Sequence, residues 1–487
     1  MKVKFILPAL TEAKSSYWRP IKYALFPPLG LATLAGYLDD SDEAEIEDEH
    51  VEELQLNDSP DLVAIEVYIT NAYRAYKIAT QYRKRGIMVI MGGLHVTTLP
   101  DEAEKYADVI FLGPGEYTFP LFLDDLKKKQ VKKRYVSTVR QLDEIPPVRR
   151  DLIKKNLYLV PNSIVVSRGC PHHCDFCYKD SFFKGGKSFY TQKVDHVLSE
   201  IQRLPGRHLY FLDDHLFGSS SYAERLFDGM KGMNRVFQGA ATVQSVLKGN
   251  LLKKAATAGL RSLFIGFETL SPSNLIAANK KQNLLKDYLQ AIQMLHDHGI
   301  KINGSFVFGF DDDHPDVFKE TVDWAVSQGI TTATFHILTP YPGTRLFDQL
   351  LKAGRISHFH WDLYDTRHVV YQPKHISSFD LKYGYEQAYR DFYSWSNIWK
   401  ASLTKNNFSG WMKHFAYAAG WKKMEPVWRI IIQSGALQYM LPVLETLLGH
   451  QQSDISNVLA VTDKRKSKNS IWSLENHKMN QIIYNYD

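Results

Sequence analysis

Six short apolar runs recur through the middle of this 487-residue chain, each followed by a stretch of helical character: Ser163–Ser167, His208–Leu212, Phe237–Val243, Ser262–Phe267, Ile302–Phe308 and Thr332–Leu338. Regular strand–helix alternation allows few topologies, because parallel neighbours need a crossover and that crossover has one hand. Six such units predict an open (β/α)6 partial barrel with functional side chains at the carboxyl ends of its strands. Thr191 is the expected N-cap of the first helix, which shows Val194, Val197, Leu198 and Ile201 on one face. Gly309 ends the fifth run, and Pro315 is expected to open a helix through Val326. The acidic run Asp311-Asp312-Asp313 between them reads as a solvated loop capping that helix.

The first run leads into Cys170-Pro171-His172-His173-Cys174-Asp175-Phe176-Cys177, which holds the only three cysteines of the chain. Three thiolates in one loop suit three irons of a [4Fe–4S] cube and leave the fourth iron without a protein ligand. A structural zinc site would need a fourth ligand, and neither His172 nor His173 has customary zinc spacing. An odd cysteine count and the absence of a secretory segment argue against disulfides.

Polar residues gather at the other strand ends. They are Asp213, Asp214 and His215, then Gln244 and Ser245, then Glu268, Asn303 and Ser305, and last His336 and Tyr341. An acid after a strand is often only a helix cap. A whole set on one barrel rim points to a site. His336 fits either a substrate contact or a packed barrel position.

Residues 1–145 alternate differently. Val3–Pro8, Leu62–Ile69, Ile87–Met91 and Val109–Leu112 read as strands, and Pro28–Leu38 and Tyr73–Arg85 as helices, predicting a doubly wound, Rossmann-like parallel sheet. Gly92-Gly93-Leu94-His95 and Gly113-Pro114-Gly115-Glu116 follow two of these strands, where ligands approach such sheets. Pro146-Pro147 and Arg149–Lys155 read as a linker, giving expected domains at 1–145, 146–365 and 366–487, the last helical.

The loop Cys-x3-Cys-x-Phe-Cys resembles the signature of the radical S-adenosylmethionine (SAM) enzymes. The resemblance implies that the open iron chelates SAM, that Phe176 packs near the adenine, and that one electron releases a 5′-deoxyadenosyl radical. It also implies that Asp213 or Asp214 supports the SAM ammonium and that Glu268 and Gln244 contact its ribose or carboxylate. His336 and Tyr341 would then face substrate. Phe26-Pro27-Pro28-Leu29-Gly30 with the two glycine loops resembles the cobalamin-binding domain fused to many of these enzymes, which places Gly92, Gly93, His95, Gly113, Gly115 and Glu116 on the cobalamin side. Ser16-Tyr17-Trp18 through Leu25, and Tyr371-Gln372-Pro373, resemble the hopanoid C-2 methylase and bacteriochlorophyll methylase branch. Cobalamin mutases carry Asp-x-His-x-x-Gly after the first strand; here Pro8-Ala9-Leu10-Thr11-Glu12 has no histidine, so no protein imidazole is expected on cobalt. Asp213-Asp214-His215-Leu216-Phe217-Gly218 matches that pattern but lies in the barrel.

The implied activity is C-methylation of an unactivated carbon of a lipid, isoprenoid or other secondary metabolite. A non-methylating rearrangement, cyclisation or oxidation of a tetrapyrrole, peptide or natural product is the alternative. A cluster- or zinc-carrying binding module is the non-enzymatic one. An external reductant such as flavodoxin or ferredoxin would supply the electron. A net charge of +6 without a recognition motif argues against nucleic acid. Confining three cysteines to one loop suits the cytoplasm. The helical stretch that carries Tyr383, Tyr385, Tyr389, Phe392, Tyr393, Trp395 and Trp399 is expected to pack on the barrel. The apolar, basic stretch 426–448 suits either a docked helix pair or peripheral contact with the inner membrane face, and Asp463–Asn469 reads as a disordered tail.

Overall fold

The computed structural model describes residues 1–10, 21–143, 145–280, 285–405 and 407–423, together with 427, 430, 431, 434 and 436–449. Ser16-Tyr17-Trp18, Trp428 and the basic stretch Asp463–Asn469 lie outside the described residues.

The amino-terminal sheet is wholly parallel. Its strands are β1 (Lys2–Leu7), β2 (Glu43–Asp48), β3 (Leu62–Glu66), β4 (Met88–Gly92), β5 (Val109–Leu112) and β6 (Arg134–Val136), in spatial order β2-β1-β3-β4-β5-β6. The order reverses between β1 and β3, the point at which doubly wound sheets open a crevice for ligands. Strands β2 and β6 were not expected. Glu43-Ala44-Glu45-Ile46-Glu47-Asp48 has no apolar run, yet as an edge strand it tolerates charge. Its Glu47 and the loop residue Asp58 pair with the fully buried Lys4 of β1 at 3.1 and 2.8 Å.

The second sheet runs β14-β13-β12-β11-β10-β7, formed by β7 (Ser163–Ile164), β10 (His208–Phe211), β11 (Val236–Ala241), β12 (Leu260–Glu268), β13 (Lys301–Phe308) and β14 (Thr332–Ile337). This is the predicted partial barrel. Its first strand is shorter than expected, because Ser167–Gly169 (β8) leaves the sheet and pairs antiparallel with Phe189–Thr191 (β9). Thr191 therefore belongs to that hairpin; the helix Val194–Arg203 is preceded by Lys193, with no side-chain cap. The acidic run also differs from expectation. Asp313 is buried, accepting from Gly309 N at 2.7 Å and from Asn274 Nδ2 at 2.8 Å, and Asp311 pairs with Arg355 at 2.7 Å. The helix Val317–Ser327 has no side-chain cap.

Alternation along the barrel strands separates two faces. Leu263, Ile265, Phe267, Ile302, Phe306, Phe308 and Phe335 are buried beneath the surrounding helices. Their neighbours Val165, Leu212, Ala240, Phe264, Gly266, Glu268, Lys301, Asn303, Thr334 and His336 point inward and remain only half-buried. A complete barrel fills its interior with side chains; here the inward residues near the rim stay half-buried, while Ser163, Gln238, Ser262 and Ser305 on the same face are buried.

The carboxy-terminal helices Ser378–Phe392 and Trp395–Leu403 close the outer edge. An edge strand exposes unpaired amides and carbonyls. Tyr389 and Tyr393 satisfy those of β14: their hydroxyls accept from Phe335 N and Ala333 N, each at 3.1 Å, and donate to the same residues' carbonyls. This explains much of the tyrosine-rich stretch. The helix Phe408–Lys422 crosses the amino end of the barrel. Arg168 to Glu116 at 2.7 Å, Tyr158 to Asp48 at 3.0 Å and Trp361 to Glu102 at 3.1 Å bind the two sheets' regions together. Among the described residues no helix is long and apolar enough to cross a membrane.

Candidate active site

The carboxyl ends of the amino-terminal sheet and of the barrel strands β7 and β10 face one cavity of about 940 Å³. The amino-terminal sheet contributes Glu66 and Tyr68, then Gly92 and Gly93, then Gly113, Gly115 and Glu116; the barrel side contributes Ser167, Arg168, Tyr178 and Asp214. Gly93 sits at φ +111°, and a Cβ there would stand 2.7 Å from Val67 O. Only glycine lets the backbone keep this course past β4. The bare backbone forms a wall able to take a large flat ligand such as a corrin.

The cysteine loop lies between β8 and β9, its backbone fixed at several points. Cys170 N donates to Ser188 O at 3.0 Å, Asp175 N to Ala278 O at 3.1 Å, Leu346 N to Asp175 O at 3.0 Å and Asn279 Nδ2 to His173 O at 2.8 Å. None of the three cysteines forms a disulfide; Cys170 is buried, and Cys174 and Cys177 are half-buried. Burial pushes the Cys177 thiol up to about 11, while the thiolates of Cys177 and Cys170 hold the Lys179 ammonium above its usual range against desolvation. Among the described residues no three His, Cys, Asp or Glu side chains converge on one ion. A cubane asks for no such convergence, since each thiolate takes a different iron. Three soft donors beside a lysine that offsets their charge fit a [4Fe–4S] cluster. Phe176 packs edge-on to Phe310, with centroids 6.2 Å apart.

The structure separates the two aspartates. Asp214 faces the cavity and accepts from Tyr178 Oη at 3.2 Å. Asp213 points back into the barrel wall, accepting from Val166 N at 3.1 Å and from Ser167 N and Oγ, both at 2.5 Å. Its carboxylate holds the break between β7 and β8, accepting from the chain's own groups rather than facing the cavity. Burial pushes its pKa up to about 6 against those hydrogen bonds. Asp213→Ala would strand two buried amides and is expected to cost about 3 kcal/mol, measured by urea unfolding of the full chain.

His95 is a second correction. It is fully buried on the far side of its short helix, with Nε2 3.0 Å from Tyr76 Oη and 3.1 Å from Glu102 Oε1; Leu94 lines the cavity instead. Gln244 lies on the short helix Val243–Val246, half-buried, and its amide donates to Asp287 at 3.0 Å. His215 is buried and stacks on His172 of the cysteine loop at 5.6 Å.

Glu268, Ser305 and His336 meet at the mouth of the lumen. Glu268 adopts φ +69°, rare for a residue with a Cβ, and its carboxylate pairs with Lys280. Ser305 stands in register with Gly266 and Thr334. His336 Nδ1 lies 3.1 Å from Thr366 Oγ1, and burial lowers its pKa, favouring the neutral ring. Tyr341 packs with Ile69, Trp361 and Tyr364 near the domain junction. Sequence reasoning missed Glu66, Tyr68, Arg168 and Tyr178. Glu66 carried a signal, an acid at the end of an otherwise apolar strand; its carboxylate accepts from Tyr68 Oη at 2.9 Å and is pushed up by burial.

Residues 164–325 match the radical SAM superfamily and residues 23–123 the B12 binding domain. Bacteriochlorophyllide d C-12(1)-methyltransferase of Chlorobaculum tepidum is 30% identical over 379 residues, covering 75% of this chain and 82% of that protein. Hopanoid C-2 methylase of Rhodopseudomonas palustris is 23% identical over 69% of this chain and 66% of its own. The solved structure of the cobalamin-dependent SAM radical enzyme OxsB, with aqua-cobalamin and SAM bound, superposes with a TM-score of 0.63 at 16% identity, covering 96% of this chain and 80% of that one.

Proposed function

The chain belongs to the cobalamin-dependent radical SAM methyltransferases, and from that premise we propose that it methylates an unactivated carbon of a tetrapyrrole held in the open barrel lumen. Its cofactors are a [4Fe–4S] cluster, SAM and cobalamin. When bound they supply a radical able to abstract hydrogen and a methyl group for a carbon that polar attack cannot reach. The observation that supports this reading best is the shared cavity, where the glycine wall of one sheet faces Ser167, Arg168, Tyr178 and Asp214 beside the first two strands of the other. A corrin on that wall would stand over the lumen mouth. Cys170, Cys174 and Cys177 would hold the cluster. Glu268, Asp214 and Ser305 are proposed to orient SAM, and His336 and Tyr341 to line the substrate side. Gly92, Gly93, Gly113, Gly115 and Glu116 would border the corrin, with Tyr68 and Glu66 facing it from β3.

The tetrapyrrole class rests on the bacteriochlorophyllide relative, which is more similar over more of its length than the hopanoid methylase. A lipid substrate is the second reading, favoured by the exposed Trp395, Trp399, Phe408 and Met412 on the carboxy-terminal helices, which would suit a membrane surface. A one-electron reductant outside the chain is part of either proposal.

Anaerobic protein reconstituted with iron, sulfide and hydroxocobalamin, then given methyl-labelled SAM and a chlorin, tests the reading. Label in the chlorin together with S-adenosylhomocysteine and 5′-deoxyadenosine is expected. 5′-Deoxyadenosine without labelled product would favour rearrangement or oxidation. Gly93→Ala is expected to lower retained corrinoid at least about tenfold, because the added carbon displaces the wall at Val67; visible absorbance after gel filtration reads this directly.

A further inference from the structure

The row of side chains at the floor of the lumen is polar. Register pairs Ser163 with Tyr210, Tyr210 with Gln238, Gln238 with Ser262, and Ser262 with Lys301 across five adjacent strands. Residues paired in this way share a face, so one layer inside the barrel carries two hydroxyl side chains, a phenol, an amide and a cation. Bulky branched residues normally fill such a layer. The Ser163 hydroxyl is buried with no hydrogen-bond partner. Tyr417, from the helix across the barrel's amino end, closes the floor: its hydroxyl reaches Gln238 Oε1 at 3.4 Å and its ring lies 5.8 Å from Lys301 Nζ.

Lys301 has no counter-ion among the described residues. The charged groups acting on it are Lys413 and Arg261, both cations, and with desolvation they lower its pKa to about 7. Just beyond stand Lys405, bonded to Gly329 O at 2.9 Å and His296 Nε2 at 2.8 Å, and His414, buried with both ring nitrogens unpartnered. A desolvated cation among cations is unfavourable unless an anion completes it. The two lysines that are fully buried among the described residues are completed: Lys4 by Glu47 and Asp58, Lys280 by Glu268.

We propose that Lys301, with Gln238 and Ser262, receives a carboxylate substituent of the substrate at the floor of the lumen, so that the anion sets how deep the molecule sits and which carbon reaches the rim. This rests on the tetrapyrrole reading above. It adds a specificity-determining residue at the end of the barrel opposite the cysteines.

The test pairs a chlorin bearing one free carboxylate with its methyl ester, binding each to the full reconstituted protein and to Lys301→Met. The acid should bind wild type about 10- to 100-fold more tightly than the ester, the range of a hydrogen bond to a charged group. The preference should vanish in the variant, with ester affinity retained. Lys301→Met removes an unpaired charge, so its Tm should equal or exceed that of wild type, which separates lost recognition from lost folding. Equal binding of acid and ester to wild type, or a preference that survives in the variant, overturns the inference. If neither chlorin binds, the tetrapyrrole reading falls. Inorganic phosphate then decides the anion site alone: it should raise the Tm of wild type over chloride at matched ionic strength and leave the variant unmoved. Protection of neither, or of both equally, refutes an anion site at Lys301.

Discussion

Cys174→Ala is expected to abolish SAM cleavage and leave the fold intact. The three thiols are all the thiols of the chain, so removing one leaves two irons without a protein ligand. Loss of even a supporting residue around a metal centre costs 10- to 100-fold; loss of a ligand should exceed about 100-fold. Iron content and 5′-deoxyadenosine release after anaerobic reconstitution report the effect. The loop backbone hangs on Ser188 O, Ala278 O and Asn279, none of which needs the Cys174 side chain, so far-UV circular dichroism should not change. A variant that keeps wild-type iron and turnover would refute the cluster assignment.

Gly169→Ala should do nearly as much harm by a different route. Gly169 ends β8 at φ +73°, and a Cβ there would fall 2.0 Å from Ser188 O, the carbonyl to which Cys170 N donates. Backbone must shift, and it shifts the strand carrying the first cysteine ligand. A loss of at least about 2 kcal/mol is expected, the left-handed penalty plus the clash, with iron retention falling alongside. Gly185→Ala is the control. It has a similar φ, +83°, but its nearest neighbour is the Thr138 methyl at 3.8 Å. Only the conformational cost of about 1 kcal/mol should appear there, without loss of iron.

Both effects trace to a loop whose importance is written in the chain, and the barrel around it was legible for the same reason: apolar runs at regular intervals leave little choice of topology. What sequence could not show is side-chain direction at strand ends. Asp213 and Asp214 are equivalent in one dimension. In three, one is spent on the amides of Val166 and Ser167 and the other faces the cavity. His95 follows two glycines in a pattern that suggests a ligand, yet its helix turns it toward Tyr76 and Glu102. Edge strands β2 and β6 escaped notice because an edge needs no apolar run. Lys301 escaped because a lysine opening a strand reads as a solvated end; only register with Ser262 and Gln238 places it inside.

The pleat of the barrel strands divides their duties. Phe306 and Phe308 on β13 anchor the helical jacket, while Asn303, on the other face of the same strand, stays half-buried toward the lumen. Changes to the inner set therefore barely touch the interactions that keep the protein folded. A scaffold arranged this way can exchange one cargo for another by a handful of inward replacements, so kindred enzymes could diverge in what they modify without first acquiring extra robustness.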